Sequence, residues 1–227
     1  MSTGRTALIT GANRGLGRAV AAVLHARGLR VVLAGRDRTS VAEAVAEMGG
    51  PASGCVLDVT DAASVAAARA LIGPVDVLVN NAGVLRDGGT DPLTVDLDLV
   101  RDTLAVNVLG SWRVSQAFVP DMVSRRWGRV VFVSSGTGSF ANGLFTGAPG
   151  YSVSKTALNG LTTMLAAQTE NTGVLVNAVN PGPTRTRMMP RAERTPEEAA
   201  ELIADAALLP DDGPSGRFLR GDRVLAW

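Results

Sequence analysis

The only tyrosine and the only lysine of the chain, Tyr151 and Lys155, lie four residues apart. On a helix this spacing places both side chains on one face. A phenol, whose ordinary pKa is about 10, can exchange a proton near neutrality only if its anion is stabilised, and an ammonium group one turn away does this. Lowering the pKa of the phenol to roughly 7 requires about 4 kcal/mol. One exposed ion pair supplies less than this, so a second positive charge is needed nearby. The pair predicts acid–base chemistry; the alternative is a core tyrosine beside a solvated lysine.

Composition indicates one folded domain without a charged partner surface. Of 227 residues, 46% are hydrophobic and 19% are charged, which is typical of a single domain spanning residues 1–227. The 22 basic and 21 acidic residues are scattered, so no nucleic-acid or membrane partner is expected. A single cysteine, Cys55, and a single histidine, His25, predict neither a disulfide nor a metal site. Residues 1–5 lack the regions of a signal peptide, and no apolar run nears the roughly 18 residues of a membrane span, so we expect a cytoplasmic protein.

Apolar runs of strand length alternate with segments of helical period along the chain. The expected strands lie at residues 6–9, 30–34, 54–57, 75–79, 129–133 and 174–179, with a short last one near residue 218. The expected helices lie at residues 16–26, 40–48, 62–71, 98–124, 151–169 and 196–208. Strands that are apolar at every position and alternate with helices predict an α/β fold, a single doubly wound Rossmann-type domain with a parallel sheet of about seven strands. Ligands of such sheets bind beyond the carboxyl ends of the strands.

Residues 10–17, TGANRGLG, follow the first expected strand and open the first expected helix. Glycines let the backbone turn tightly and approach a pyrophosphate, while the free N–H groups and the dipole of the helix attract its charge. The spacing G-x-x-x-G-x-G differs from the commoner dinucleotide fingerprint, but its place between strand and helix favours a dinucleotide site over a purely structural turn. An oxidised nicotinamide ring would also supply the second positive charge that Tyr151 needs.

The end of the second strand indicates which dinucleotide is bound. NAD sites usually offer a carboxylate there to the ribose 2′-OH, whereas an arginine accommodates a 2′-phosphate. Here Gly35 ends the strand and Arg36 follows it, while Arg14 projects from the glycine loop. Two guanidinium groups that can reach one phosphate favour NADPH/NADP+ over NADH. Two alternatives stay open: both arginines are merely solvated, or Asp37 pairs with Arg36 and weakens its charge.

With these motifs, the chain strongly resembles the short-chain dehydrogenase/reductase family over nearly its whole length. Residues 151–159, together with residues 209–216 and the terminal Trp227, resemble the carbonyl-reductase-like branch of that family. Further family motifs follow in the expected order: the D-V step at residues 58–59, N-N-A-G at residues 80–83, a helix asparagine at 107, a serine at 135 and the P-G turn at residues 181–182. Together with the glycine loop and Arg36, the resemblance predicts the cofactor contacts. These are Gly11, Asn13, Arg14, Gly15, Leu16, Gly17, Arg36, Asp58, Val59, Asn81, Ala82, Gly83, Tyr151, Lys155, Pro181, Gly182, Thr184 and Thr186.

The resemblance implies catalytic roles for four residues. Tyr151 would donate a proton to the developing alkoxide, and Ser135 would hydrogen-bond the carbonyl oxygen. Lys155 would lower the pKa of the tyrosine and bind the nicotinamide ribose. Asn107 would support a water molecule linked to the lysine. The same residues would oxidise an alcohol in the reverse direction.

We therefore expect an NADPH-dependent reductase that converts a small-molecule ketone or aldehyde to an alcohol. Its pocket would be formed by residues 136–150 and 184–196, where Phe140, Leu144 and Phe145 form either a substrate wall or a local hydrophobic patch. The alternatives are an NAD-dependent alcohol dehydrogenase of the same family and a protein that senses NADP(H) without catalysis. The resemblance also implies a homodimer or homotetramer assembled through the helices that carry Asn107 and Tyr151.

Overall fold

The computed structural model describes residues 4–227, apart from the side chain of residue 142. Within this range the chain forms one sheet of eight strands in the order β3-β2-β1-β4-β5-β6-β7-β8. The strands are β1 (Thr6–Thr10), β2 (Arg30–Gly35), β3 (Ala52–Val56), β4 (Val77–Asn80), β5 (Gly128–Val133), β6 (Val174–Val179), β7 (Arg217–Arg220) and β8 (Arg223–Leu225). The helices are α1 (Gly15–Ala26), α2 (Arg38–Met48), α3 (Ala62–Ile72), α4 (Leu97–Leu104), α5 (Ser111–Ser124), α6 (Pro149–Gln168) and α7 (Pro196–Ala207).

Strands β1 to β7 pair in parallel, as their unbroken apolar runs predict. Alternate side chains of each strand enter different cores: Ile9 of β1 packs with α1, α2 and α7, whereas Leu8 packs with α3, α5 and α6. A strand buried on both faces needs apolar residues at every position, which is why no polar alternation is visible in the sequence. The prediction of a doubly wound α/β domain is confirmed.

The last strand departs from the predicted sheet of about seven strands. β8 pairs antiparallel with β7 through a tight turn at Gly221 and Asp222, with Arg220 opposite Arg223. Gly221 has φ of 64°, in the left-handed region that such turns require. β8 has only three residues, with Val224 60% exposed, so it lacks the apolar run that revealed the other strands. Across residues 4–227 no helix is both long enough and apolar enough to cross a bilayer.

The order of the strands determines where a ligand can bind. The chain runs outward from β1 through β2 to β3, then returns to the other side of β1 and continues from β4 to β7. The connections after β1 and β4 therefore leave the sheet in opposite directions, and a crevice opens between them at the carboxyl edge. The glycine loop follows β1, and residues 80–83 follow β4, so both predicted motifs lie at this crevice.

Candidate active site

The glycine loop forms a close-packed cradle at the start of α1. Gly11 and Gly15 have φ of 64° and 53°, which few other residues adopt readily. A Cβ atom on Gly17 would lie 2.4 Å from Asn81 Nδ2 and 2.5 Å from the Gly11 carbonyl oxygen, so a side chain cannot be placed there without displacing the loop. The first turn of α1 has no side-chain cap and no acidic residue. Its backbone N–H groups and positive dipole are therefore arranged to hold an anion, and the loop fits a dinucleotide pyrophosphate.

Asn81 and Thr10 join this loop to the end of β4. The Asn81 side chain donates to the carbonyl oxygens of Thr10, at 2.8 Å, and of Gly11, at 3.2 Å. The Thr10 hydroxyl accepts hydrogen bonds from the backbone N–H groups of Asn81 and Ala82, each at 3.0 Å. These bonds fix the two walls of the crevice relative to one another, so part of the N-N-A-G motif acts by holding the glycine loop in shape.

The arginines predicted to bind the 2′-phosphate are both exposed, Arg14 as the N-cap of α1 and Arg36 directly after β2. Within residues 4–227, neither Arg14 nor Arg36 forms an ion pair with a carboxylate. Asp37 instead begins α2 as its N-cap and accepts a hydrogen bond of 2.8 Å from Ser40 N. The alternative in which Asp37 pairs with Arg36 is therefore not realised. Asn13 donates to the Ser40 hydroxyl at 2.9 Å, which ties the glycine loop to the same helix start.

Asp58, one of the predicted cofactor contacts, lies near Arg36 beyond the end of β3. Burial opposes its ionisation, but hydrogen bonds from Thr60 and the charges of Arg36 and Arg113 lower the pKa of the Asp58 carboxyl overall. The next residue, Val59, is buried and presses against Gly110, where a Cβ atom would lie 2.6 Å from Val59 Cγ2. The two residues thus close the side of the crevice beneath Arg36.

The turn after β6 reaches back towards the glycine loop. Thr184 is buried, and its hydroxyl donates to the Gly182 carbonyl at 3.0 Å, so it stabilises the turn. The methyl group of Thr186 lies 3.9 Å from the position that a Cβ atom on Gly15 would occupy. Of the two predicted threonines, Thr186 therefore lies at the glycine loop, while Thr184 is committed to the turn beside Pro181.

Ser135, Tyr151 and Lys155 come together beyond the end of β5. Ser135 is the N-cap of the short 3-10 turn Gly136–Gly138; its hydroxyl accepts a hydrogen bond of 3.0 Å from Thr137 Oγ1 and lies next to the Tyr151 phenol. The neighbouring serine is turned the other way: Ser134 Oγ donates to Asn159 Oδ1 at 2.7 Å inside the core. Lys155 is buried, with its Nζ atom donating to the Val133 carbonyl at 2.8 Å and lying 5.4 Å from the centroid of the Tyr151 ring. The tyrosine, the serine at 135 and the lysine are thus neighbours, as predicted.

The pKa of Tyr151 is raised, whereas the sequence predicted that Lys155 would lower it. Burial raises the pKa of the phenol to about 12, although the hydrogen bond with Ser135 opposes this shift. Burial also lowers the pKa of Lys155 to about 8. Both shifts arise because a low-dielectric environment disfavours the charged form of each group. The prediction that Lys155 lowers the pKa of Tyr151 does not hold for the protein's own groups, which is why the second positive charge required above remains part of the chemistry.

Asn107 lies in a π-helical turn, Ala105–Gly110, between α4 and α5. Its side chain is fully buried; Nδ2 donates to the Val84 carbonyl and to Ser154 Oγ, each at 2.9 Å, and Oδ1 accepts from Val84 N at 2.8 Å. Asn107 Oδ1 and Lys155 Nζ lie 3.4 and 3.8 Å from one point, the Cβ position of Gly83. The predicted continuous helix at residues 98–124 therefore contains an irregular turn, and π turns of this kind often occur at functional sites.

The connection from Ser135 to Tyr151 covers the start of α6. A Cβ atom on Gly138 would lie 2.7 Å from the backbone carbonyl carbon of Lys155, so the loop lies directly on the helix. Phe140 is 69% exposed and Phe145 is 55% exposed, so these rings do not form a buried patch beneath the loop. The far end of the chain holds the loop, because Ala141 N donates to the Trp227 carbonyl at 2.9 Å and Ser139 Oγ donates to the Ala226 carbonyl at 3.0 Å.

Sequence reasoning missed Asp87, a fully buried carboxylate at the beginning of α6. Helix α6 has Ala148 as its N-cap and no side-chain cap of its own. Asp87 Oδ2 accepts hydrogen bonds from Gly150 N at 2.5 Å and from Tyr151 N at 3.3 Å, and so takes the place of a local cap. It follows the N-N-A-G motif by four residues, and only the fold brings it to a helix that starts more than 60 residues later. Its position holds the backbone of Tyr151.

We expect Asp87→Ala to lower the free energy of unfolding by about 2 kcal/mol or more, because two buried N–H groups lose their acceptor. Asp91→Ala is the matched control, since Asp91 accepts from Leu93 N and Thr94 Oγ1 in an exposed turn of the same connection. Urea denaturation followed by circular dichroism measures both. Equal losses in the two variants would contradict a special role for Asp87.

No three His, Cys, Asp or Glu side chains of the described residues gather where they could hold a metal ion. Cys55 is buried in β3, which agrees with its interpretation as a small apolar residue.

Comparisons with known proteins agree with this geometry. The profile of the short chain dehydrogenase family matches residues 5–197. Oxidoreductase UcpA of Salmonella typhimurium is 38% identical over 216 residues, covering 90% of this chain and 80% of that protein. The 3-oxoacyl-[acyl-carrier-protein] reductase FabG of Escherichia coli is 36% identical over 190 residues, covering 82% of this chain and 75% of that protein. A crystal structure of an actinorhodin polyketide ketoreductase with NADPH is 30% identical with a TM-score of 0.85, and the match covers 97% of each chain.

Proposed function

Because the chain belongs to the short-chain dehydrogenase/reductase family and is an oxidoreductase of that family, we propose that it reduces a ketone or aldehyde to an alcohol with NADPH. The gathering of Tyr151, Ser135 and the buried Lys155 at the carboxyl edge, with Lys155 Nζ 5.4 Å from the centroid of the Tyr151 ring, is the observation that carries this proposal. A protein that only senses a dinucleotide would have no use for a proton donor held in this way. The names of FabG and of the ketoreductase, both carbonyl reductases, support the same reaction.

NADPH would supply the hydride, and the protein would position the carbonyl group and deliver one proton. Ser135 would donate a hydrogen bond to the carbonyl oxygen, an interaction that strengthens as negative charge develops there. Tyr151, held beside Ser135, would protonate that oxygen. The raised pKa of the phenol, about 12, keeps Tyr151 protonated in the free protein, which is the form required for donating a proton.

Lys155 and Asn107 would prepare the tyrosine for its next turnover. Lys155 has a pKa of about 8 and so is mostly protonated at neutral pH. Its ammonium group would stabilise the phenolate that remains after proton transfer and would bind the nicotinamide ribose. The side-chain amide of Asn107 donates its two hydrogen bonds to the Val84 carbonyl and to Ser154 Oγ. Asn107 would therefore act by holding the π turn and the start of α6 in place around the lysine.

The reaction is tested by following the oxidation of NADPH and of NADH over a panel of quinones, aromatic ketones, diketones and aldehydes. Turnover with NADPH would support the proposal, and faster turnover with NADH would favour the NAD-dependent alternative. No turnover over the whole panel, with NADPH still bound in a fluorescence titration, would favour a sensing role.

We expect Arg36→Asp to lower the preference for NADPH over NADH by about a hundredfold, because a charge-assisted bond to the 2′-phosphate is replaced by repulsion. Arg30→Asp makes the same charge change at the other end of β2 and serves as the control. Dissociation constants for both coenzymes measure the preference without depending on a substrate. An unchanged ratio in Arg36→Asp would refute the assignment of Arg36 to the phosphate.

Residues 136–150 and 184–196 would form the substrate pocket. The exposed rings of Phe140 and Phe145 favour the substrate-wall interpretation over a hydrophobic patch packed beneath the loop. Helix α7 begins at Pro196 with a capping box between Thr195 and Glu198, so only a short segment is left to cover the substrate.

A homodimer or homotetramer would assemble through the helices that carry Asn107 and Tyr151. This contact would bury exposed apolar side chains of these helices, among them Leu109, Val153 and Met164.

A further inference from the structure

Two guanidinium groups converge on the turn that follows β6. Arg194 Nη1 donates to the Pro181 carbonyl at 2.9 Å. The position of a Cβ atom on Gly182 lies 3.7 Å from Arg194 Nη1 and 2.8 Å from Arg220 Nη2. Gly182 has φ of 75° and no side chain, so the two cationic groups approach the same point from different elements.

The charges of this pair are not balanced by the protein. Within residues 4–227, neither Arg194 nor Arg220 lies at ion-pair distance from a carboxylate. The segment 181–195 also carries exposed arginines at 185, 187 and 191, and its only acidic residue is Glu193. Like charges this close repel one another, and a bound anion would remove the repulsion and satisfy several N–H donors at once.

The position of the pair in the sheet decides which anion it can serve. Arg220 ends β7, which is four strands from β1 and the glycine loop, or roughly 19 Å at the usual strand spacing. It is two strands from β5, which precedes Ser135, or roughly 10 Å. By its place in the sheet, Arg220 therefore lies nearer to the end of β5 that precedes Ser135 than to the glycine loop, on the substrate side of the carboxyl edge.

We propose that Arg194 and Arg220 form an anion-binding site that holds a carboxylate or phosphate group of the carbonyl substrate. This inference rests on the proposed reductase function and deepens it, because it names the substrate class as an acidic ketone or aldehyde. The two guanidinium groups would orient such a substrate through its acidic end, with its carbonyl group towards Ser135 and Tyr151.

Two measurements test the site. The first compares kcat/KM for 4-carboxybenzaldehyde and for its neutral methyl ester with NADPH, in the unaltered protein, in Arg220→Gln and in Arg217→Gln. Arg217 lies at the opposite end of β7 and is exposed, so it controls for a change of charge on the same strand. The second measurement is calorimetric titration of the same proteins with benzoate and with phenyl phosphate, without coenzyme, and it separates the two anion types.

We expect the unaltered protein to prefer the acid over the ester, and Arg220→Gln to lower that preference at least about tenfold while Arg217→Gln leaves it unchanged. An equal preference in all three proteins, with both aldehydes reduced, would overturn the site while the reductase function stands. If neither aldehyde is reduced but benzoate or phenyl phosphate binds and Arg220→Gln abolishes the binding, the site stands and the reductase function is in doubt. If Arg220→Gln and Arg217→Gln weaken the binding of benzoate or phenyl phosphate equally, the proposed site is overturned.

Discussion

Tyr151→Phe is expected to lower kcat for carbonyl reduction on the order of a thousandfold, because the substitution removes the phenol that would donate the proton beside Ser135. The dissociation constant for NADPH should change by less than about twofold, since the phenol oxygen makes no bond to the glycine loop and the ring itself is kept. Absorbance measurements of NADPH oxidation give kcat, and fluorescence titration gives the dissociation constant. A variant that retains its full rate would remove Tyr151 from the mechanism.

Two adjacent serines supply the matched control for this result. Ser135→Ala should also lower kcat, because its hydroxyl contacts the phenol, whereas the Ser134 hydroxyl bonds Asn159 in the core. Ser134→Ala should therefore reduce the free energy of unfolding by about 1 kcal/mol with much less effect on kcat. If the two alanine variants lose activity equally, the loss reflects damage to the end of β5 rather than the chemistry of Ser135.

The sequence predicted those parts of the fold and the site that rest on local pattern. Strands β1, β2, β4, β5 and β6 are largely buried and largely apolar, so they could be predicted directly, and the four-residue spacing of Tyr151 and Lys155 placed both on one face of α6. The glycine loop was recognisable because Gly11 and Gly15 adopt positive φ angles, a property of the local backbone that favours glycine. In each case the physical cause lies in the neighbouring sequence.

The parts that could not be predicted depend on contacts between distant segments. In the π turn Ala105–Gly110, Asn107 bonds the backbone of Val84 and Gly110 lies against Val59, and neither contact is visible in the local sequence. Asp87 caps a helix that begins 62 residues later, and no local motif marks it. The pKa values of Tyr151 and Lys155 likewise depend on how deeply the fold buries them, and burial reversed the direction predicted for the tyrosine. Spacing alone specifies neighbours but not their solvation.

Lys155→Met is expected to flatten the dependence of stability on pH between about pH 8 and about pH 10. In the folded protein, burial lowers the pKa of Lys155 to about 8 from its ordinary value of 10.5. Between these values the unfolded chain binds more protons than the folded one, so the free energy of unfolding rises with pH. The rise amounts to about 2 kcal/mol over this interval. Tyr151, whose pKa is raised from 10.0 to about 12, stays protonated in the folded state and ionises only in the unfolded chain as pH approaches 10, which offsets about 0.4 kcal/mol of this rise.

The comparison of the two proteins isolates the charge of the lysine from the other consequences of the substitution. Lys155→Met also removes the hydrogen bond to the Val133 carbonyl, but that loss does not depend on pH and cancels in the slope. Urea denaturation at several pH values should show the unaltered protein gaining stability from about pH 8 to about pH 10 while the methionine variant stays nearly level. Parallel stability curves for the two proteins would contradict the lowered pKa of the buried Lys155. If kcat also falls on the order of a hundredfold in Lys155→Met, the ammonium group acts on Tyr151. The protein then keeps this buried charge for catalysis, although the charge lowers the free energy of unfolding below pH 8.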